Sequence, residues 1–229
     1  FLRYFANTSI AAACEAWLGP NYQMTSQVNL VHPGGAAQQA HRDYHLGFQT
    51  PDICAQYPAH VHDLSPTLTL QGAIAHVDMP VESGPTKLLP FSQAYRAGYA
   101  AWRRDDFRAV FEERHVQLPL AKGDTVFFNP ALFHAAGANT STDIHRMANL
   151  LQVSSAFGRA METLDRVAMC KALFPVLAGK LCFPVLTGKC IFPVLAGKCF
   201  LRFWPENGFE VLAGICVFWV LVEKCGFTG

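Results

Sequence analysis

Polar and apolar side chains largely alternate within residues 23–31, and this alternation restricts the fold more than any other feature of the chain. Met24, Val28 and Leu30 fall on one face of an extended chain together with Ser26, whereas Gln23, Thr25, Gln27 and Asn29 occupy the other face. A period of two residues predicts a β-strand with two different faces. The Pro-Gly-Gly sequence at 33–35 ends the strand.

Further strand-like runs follow at short intervals, whereas helical patterns are few. The runs cover residues 67–77, 116–120, 125–128 and 146–154. Helices are predicted over 9–18, with Ser9 as the N-cap and Gly19-Pro20 as the stop, and in parts of 92–113. Many short strands with few helices favour a mainly β fold, in which antiparallel sheets form a jelly roll with flanking helices.

The composition argues against several functional classes. The 229 residues include 18 basic and 17 acidic side chains, and this balance predicts no nucleic-acid partner. No apolar run reaches the ~18–20 residues that a membrane span needs. Six of the eight cysteines lie after residue 169 and none forms a Cys-x-x-Cys pair, so we expect a reduced, cytoplasmic protein rather than a zinc ribbon.

The end of the chain differs from the rest. FPVLAGKLC, FPVLTGKCI and FPVLAGKCF run head to tail over residues 174–200, which makes a nine-residue repeat in three copies. Each copy contains a Pro and a Gly, which disfavour both a long helix and a central strand. We therefore expect a folded domain over 1–169 and a hydrophobic tail without an assigned role over 170–229. The start at Phe1 rather than Met favours a truncated N-terminus.

The strongest local signal for chemistry is the sequence His41-Arg42-Asp43. Residues i and i+2 of a strand project from the same face, so an imidazole and a carboxylate there can bind one metal ion. His134 lies 93 residues after His41, and Arg146 follows 12 residues later at the start of an apolar strand. Two histidines and one carboxylate form a facial triad that leaves coordination positions open, as non-haem Fe(II) oxygenases require. A buried Arg146 would need an anionic partner, and the distal carboxylate of 2-oxoglutarate suits its planar guanidinium.

Three stretches of the chain resemble the phytanoyl-CoA dioxygenase family. They are PGGAAQQAHRDYHLGF, ESGPTKLLPFSQ and LAKGDTVFFNPALFHAAGANTS, and with the strand that begins at Arg146 they extend over roughly residues 20–157. The resemblance implies a double-stranded β-helix and an Fe(II)- and 2-oxoglutarate-dependent dioxygenase over 1–169. Such an enzyme uses O2, hydroxylates a small organic substrate, and releases succinate and CO2. Carried over by position, His41, Asp43 and His134 would ligate the iron, and Arg146 would hold the cosubstrate.

Three polar side chains are further candidates for contact with the cosubstrate. Gln27 and Asn29 lie on the polar face of the first predicted strand, and Gln38 lies three residues before His41. Arg42 should point away from the metal on a regular strand and form a surface salt bridge.

The chain departs from the family pattern in three places. It lacks the longer N-terminal region that is usual in relatives. The common Pro-Gly-Ser-His segment reads Pro-Phe-Ser-Gln at 90–93, and Ala136 stands where a small hydroxyl residue often touches the cosubstrate. These departures leave open a second hypothesis, a metal-binding jelly-roll domain without turnover.

The other histidines are weaker candidates for metal binding. His45 would be a rival ligand only if its segment were helical, and His60 and His62 are expected on an exposed loop. His76 is expected to be structural, and His145 should lie on the strand face opposite Arg146. A cupin-type site with another metal would need more histidines around the ion.

Overall fold

The computed structural model describes residues 2–160, 162–185 and 220–222, which divide into two compact units. The first unit contains residues 2–6 and 165–185, with helices α1 (Leu2–Phe5) and α7 (Arg166–Val185). The second contains residues 7–160, 162–164 and 220–222 and holds every candidate site residue. Among the helices in these described ranges, none has the length and apolar character needed to cross a membrane.

Helix α7 includes the first copy of the nine-residue repeat. The expectation that Pro and Gly would exclude a long helix is wrong for this copy. Alanine, leucine and lysine residues around Pro175 favour a helix and can offset the ~3 kcal/mol that an interior proline costs. Residues 186–200, with most of the second copy and all of the third, lie outside the described residues. The division into 1–169 and 170–229 stays a prediction.

The second unit is built on two antiparallel sheets. Their strands are β1 (Gln23–Val31), β2 (Thr69–Ala75), β3 (Thr86–Leu88), β4 (Val116–Gln117), β5 (Thr125–Phe128), β6 (His134–Ala136), β7 (Arg146–Ser154) and β8 (Val220–Val222). The larger sheet has the order β1-β7-β2-β5-β8, and the smaller sheet has the order β4-β3-β6. Strands β1, β5 and β7 coincide with predicted runs, whereas β2 is shorter than predicted and only two residues of 116–120 form a strand. Strands β3 and β6 have three residues each, too few to show a period of two.

Short helices precede or connect the strands of this unit. They are α2 (Thr8–Leu18), α3 (Pro51–Cys54), α4 (Ala59–Leu64), α5 (Gly98–Ala101) and α6 (Asp105–Arg114). The predicted helix over 9–18 is α2, but its N-cap is Asn7 and not Ser9, because the Asn7 side-chain oxygen accepts hydrogen bonds from the main-chain N–H groups of Ser9 and Ile10. Gly19 ends the helix as predicted, with a φ of 73°.

The register of the larger sheet decides which side chains share its inner face. Gln27 on β1 pairs with Leu150 on β7, and Gln71 on β2 pairs with Gln152 on β7. Directly paired residues project from the same side of a sheet, and alternate residues of one strand do the same. Arg146 therefore shares a face with Leu150 and Gln152, which lie four and six residues further along β7. This face forms one wall of the candidate site.

Candidate metal centre

The side chains of His41, Asp43 and His134 meet at one point. The Nε2 atom of His41 lies 3.6 Å from Oδ1 of Asp43, and Nε2 of His134 lies 3.3 Å from Oδ2. One possible ligand atom from each residue lies within 4.8 Å of the others. Ligand atoms about 2.1 Å from one ion and at right angles to each other are about 3 Å apart, so these distances suit a shared cation.

Main-chain contacts bring the two imidazoles together. His41 and His134 form an isolated antiparallel bridge, with reciprocal N–H to carbonyl hydrogen bonds of 3.0 Å each. Residues on either side of the histidines pack into one buried cluster: Ala40, Phe133 and Ala135, with Phe111 from α6. The hydrophobic neighbours in the sequence therefore fix the main chain from which both imidazoles project.

Both imidazoles turn the same nitrogen toward Asp43. Nδ1 of His41 lies 2.8 Å from the carbonyl oxygen of Gln39, and Nδ1 of His134 lies 2.8 Å from that of Leu132. A carbonyl oxygen can only accept, so each Nδ1 carries a proton, and Nε2 is the ring nitrogen that each histidine can offer to a metal ion. Burial, followed by the proximity of His134, lowers the pKa of His41 and keeps its ring neutral. Two imidazole nitrogens thus face one carboxylate, a set of ligand atoms that could bind a metal ion.

Asp43 is ionised in these surroundings. Burial raises its pKa, but the contacts with His134, the nearby His41 and a hydrogen bond from Gln71 outweigh burial and lower the pKa to about 2. Nε2 of Gln71 donates to Oδ2 of Asp43 over 2.5 Å. The carboxylate is therefore held from the side of strand β2 as well as from the histidines.

The segment from His41 to Asp43 is not the regular strand that the sequence predicts. Only His41 makes a strand-like bridge, and the next two residues after Asp43, Tyr44 and His45, have φ values of 64° and 40°. These left-handed conformations turn the chain away from the sheet. The side chain of His45 therefore lies away from the metal centre, and its ring is within hydrogen-bonding distance of Ser65.

The expectation that Arg42 forms a surface salt bridge is wrong. The residue is 1% exposed, and it makes no salt bridge with any residue that the structure describes. Its guanidinium lies 4.9 Å from the ring centres of both Tyr99 and Phe133, and it donates hydrogen bonds to the main-chain carbonyls of Ser92 and Tyr95. The side chain does point away from Asp43 as expected, but that direction leads into an aromatic core rather than to solvent.

Arg146 is buried at the far end of the same wall, with 5% of its surface exposed. One guanidinium nitrogen, Nη1, donates to the carbonyl oxygens of Ser83, Gly84 and Gly137. Among the described residues, no carboxylate forms an ion pair with this guanidinium, and burial lowers its pKa. A buried cation without an anionic partner fits an anionic ligand.

One cavity of about 370 Å³ joins these groups. Its walls include all seven candidate residues: Gln27, Asn29, Gln38, His41, Asp43, His134 and Arg146. The side chain of Gln38 is partly committed, because its Oε1 accepts the main-chain N–H of Ala136 over 3.0 Å. The structure thus places every candidate from the sequence on one cavity.

A family model described as Phytanoyl-CoA dioxygenase (PhyH) matches residues 2–148. The chain belongs to the phytanoyl-CoA dioxygenase family. The dioxygenase andF of Emericella variicolor is 27% identical over 143 residues, and the dioxygenase trt7 of Aspergillus terreus (strain NIH 2624 / FGSC A1156) is 26% identical over 132 residues. These matches cover 59% and 56% of this chain but only 43% and 39% of the relatives, so the chain spans about two fifths of their length.

A solved structure shows the same fold as this phytanoyl-CoA dioxygenase family chain. AviO1 from Streptomyces viridochromogenes Tue57 is 16% identical, with a TM-score of 0.50, over 69% of this chain and 62% of that chain. The predicted mainly β jelly roll with flanking helices, or double-stranded β-helix, is confirmed.

Gln71 is a residue of the site that was not predicted from the sequence. The residue is 7% exposed, lines the cavity and contacts Asp43. A signal was present, because Gln71 is the one amide side chain in the otherwise apolar or small run Thr69–Ala75. A polar residue in a fully buried strand has to find a partner, and the partner in this case is Asp43.

The other histidines of this family member lie away from the centre. His60 and His62 are on α4 and not on a loop, and Nε2 of His62 lies 3.0 Å from the carbonyl oxygen of Cys54. The Nδ1 atoms of His32 and His145 are 2.8 Å apart. His76 does not line the cavity.

Proposed function

We propose that the chain is an Fe(II)- and 2-oxoglutarate-dependent dioxygenase that hydroxylates a small organic substrate and releases succinate and CO2. Family membership supports this proposal. The observation that carries it is the orientation of the two imidazoles, each of which directs Nε2 at Asp43 while its Nδ1 lies against a main-chain carbonyl oxygen. Two imidazole nitrogens and one carboxylate directed at a common point form the donor set of a facial metal triad.

In this proposal His41, Asp43 and His134 hold the iron from one side and leave its other coordination positions open. When bound, iron and 2-oxoglutarate would together provide the redox chemistry by which O2 oxidises a C–H bond of the substrate. The main-chain carbonyls that accept from the two Nδ1–H groups orient the imidazoles, and Gln71 orients the carboxylate.

Arg146 would bind the distal carboxylate of the cosubstrate. Three main-chain carbonyls hold Nη1, and no hydrogen bond within the described residues uses the other guanidinium nitrogens. The remaining edge of the guanidinium is therefore available to an anion in the cavity. Gln27, Asn29 and Gln38 line the same cavity and are proposed as further contacts with the cosubstrate.

Ala136 is the observation that favours the competing hypothesis of a metal-binding jelly-roll domain without turnover. It lines the cavity but has no hydroxyl group for the cosubstrate, and its main-chain N–H is bound to Gln38. Binding without turnover would follow if the cosubstrate were held too loosely for reaction.

The test is an anaerobic titration of the full chain with Fe(II) and 2-oxoglutarate, followed by admission of oxygen. A weak visible charge-transfer band, and succinate on oxygenation in the presence of substrate candidates, are the expected results. A band without succinate across a broad panel would favour the binding protein. The absence of a band in folded protein, with the same result for Asp43→Ala and the unchanged chain, would contradict both hypotheses.

A further inference from the structure

Two exposed histidines lie side by side at the ends of two paired strands of the larger sheet. His32 directly follows β1, and His145 directly precedes β7. Their Nδ1 atoms are 2.8 Å apart. Neither residue lines the cavity of the candidate metal centre. The pair is therefore a second cluster of side chains that can ligate a metal, and the proposed function gives it no role.

One buried side chain holds the main chain next to both histidines. Asn139 is 1% exposed, and its Nδ2 donates to the carbonyl oxygens of Val31 over 3.1 Å and Ile144 over 2.7 Å. These two residues directly precede His32 and His145 in the sequence. The imidazoles therefore project from fixed main-chain positions, which reduces the entropy that is lost when both bind one ligand.

The spacing of the two nitrogens suits adjacent positions on one transition-metal ion. Ligand atoms about 2.1 Å from an ion and at right angles to each other are about 3 Å apart. The ring centres are 5.0 Å apart and the ring planes cross at 85°. A small turn of the two rings would direct both nitrogens at one ion, and exposed side chains make such turns readily.

Without a metal ion, the two imidazoles can share only one hydrogen bond. One Nδ1 has to carry a proton and the other has to accept it, because two unprotonated nitrogens cannot bond to each other. An ion that displaces this proton would bind both nitrogens. Imidazole suits Zn(II), Cu(II) and Ni(II), and nitrogen ligands at right angles favour Ni(II) and Cu(II) over tetrahedral Zn(II).

The described part of the chain offers two protein ligands at this place and no third. Within that part, His41, Asp43 and His134 form the one group of three or more histidine, cysteine or acidic side chains with converging ligand atoms. Water or a small chelating anion would therefore fill the other positions of an ion at the histidine pair. Such an ion stays exchangeable, unlike an ion in a closed site with four protein ligands.

We propose that His32 and His145 form a second metal site, which binds one Ni(II) or Cu(II) ion through their two Nδ1 atoms. The site is separate from the proposed iron centre and does not depend on the proposed function. A bound ion would link the end of β1 to the start of β7, one residue before Arg146. Because the ion binds the folded chain, it would also stabilise that chain against unfolding.

The test uses Ni(II) nitrilotriacetate, a probe whose chelator leaves two adjacent positions of the ion open. Isothermal titration calorimetry on the full chain measures the affinity and the number of sites. We expect one site, and we expect His32→Ala and His145→Ala each to weaken binding by at least about tenfold, because a single imidazole remains. The probe should also raise the urea midpoint of the unchanged chain but not that of either variant.

Two further variants separate this site from other places where the probe could bind. Asp43→Ala alters the candidate iron centre and should leave the affinity for the probe unchanged. His60→Ala removes an exposed histidine on α4 and should do the same. His60 and His62 are two residues apart on a helix, so their side chains do not face each other and cannot bind adjacent positions of one ion.

No binding of the probe to the unchanged chain would overturn the proposal. Equal affinity of the unchanged chain and both histidine variants would overturn it too, since the probe would then be held by a thiol or another group. Loss of binding in only one of these variants would show a contact with a single imidazole and would also contradict the site. Loss of binding in Asp43→Ala would assign the probe to the candidate iron centre instead.

Discussion

His41 and His134 are joined by two reciprocal main-chain hydrogen bonds of 3.0 Å, although 93 residues separate them in the sequence. The bridge sets the distance between their ring centres at 4.5 Å and leaves both Nε2 atoms directed at Asp43. The site is therefore preorganised by main chain before any ion binds, and its three proposed ligands should act as a unit.

Loss of one imidazole should strongly weaken metal binding. We expect His134→Ala to lower the affinity for Co(II), a spectroscopic substitute for Fe(II), by at least about 100-fold, because one of three protein ligands is gone. Anaerobic competition with a chromophoric chelator measures the affinity. His60→Ala removes an exposed histidine outside the cavity and is the matched control. Equal Co(II) affinity in the two variants would contradict the assignment of His134.

The guanidinium of Arg146 should matter for the cosubstrate and not for the metal. We expect Arg146→Lys to raise the dissociation constant of 2-oxoglutarate by about 10- to 100-fold, since lysine cannot make the planar, two-point contact with a carboxylate. The charge-transfer band in the presence of Fe(II) reports this binding, and Co(II) affinity should be unchanged. Arg96→Lys, at an exposed ion pair with Asp63, is the control. Normal 2-oxoglutarate binding in Arg146→Lys would refute the role.

Some strands and site residues could be predicted from the sequence, and others could not. The alternation in Gln23–Val31 predicted strand β1 with its bounds. Gln27 and Asn29, on the polar face of that strand, line the cavity. The order and spacing of His41, Asp43, His134 and Arg146 pointed to residues that the structure places on one cavity. These signals are local or rest on a recognisable order of residues.

Two features of the centre depend on tertiary contacts that no local pattern records. A cationic side chain such as Arg42 is usually exposed, and its burial requires Tyr99 and Phe133 to approach from distant segments. The contact between Gln71 and Asp43 likewise spans 28 residues and depends on how β2 faces the loop after His41. The left-handed conformation of Tyr44 could not be predicted either, because bulky residues rarely adopt it.

The packing of Arg42 predicts a coupling with Gly98. A Cβ atom at Gly98 would collide with the guanidinium of Arg42. Gly98→Ala should therefore lower the free energy of unfolding by about 1–3 kcal/mol through overpacking, as measured by urea denaturation. In an Arg42→Ala background the collision partner is gone, and the same change should cost much less. Additive effects of the two substitutions would show that the methyl group added at position 98 does not contact the guanidinium of Arg42.

Arg42 should also contribute to stability independently of metal binding. We expect Arg42→Met to lower the free energy of unfolding by about 2–4 kcal/mol, because the carbonyls of Ser92 and Tyr95 lose a donor and two aromatic rings lose a cation. Urea denaturation of the metal-free chain measures this. Arg114→Met, at an exposed position, should have little effect. Equal stability of the two variants would contradict a structural role for Arg42.

Burial of Cys14 predicts a loss of stability at high pH. The thiol is fully buried, and burial, with a smaller effect from Glu15, raises its pKa to about 12. Between the ordinary thiol pKa of about 8.5 and this value, the unfolded chain releases a proton that the folded chain keeps. The unfolded state then binds fewer protons, so the free energy of unfolding falls as pH rises.

Urea denaturation between pH 8 and about pH 11 should show this decline. Cys14→Ala should reduce the slope of the free energy of unfolding against pH by the equivalent of close to one proton. Cys170→Ala changes an exposed cysteine and should leave the slope as it is, and identical slopes for all three chains would contradict the assignment.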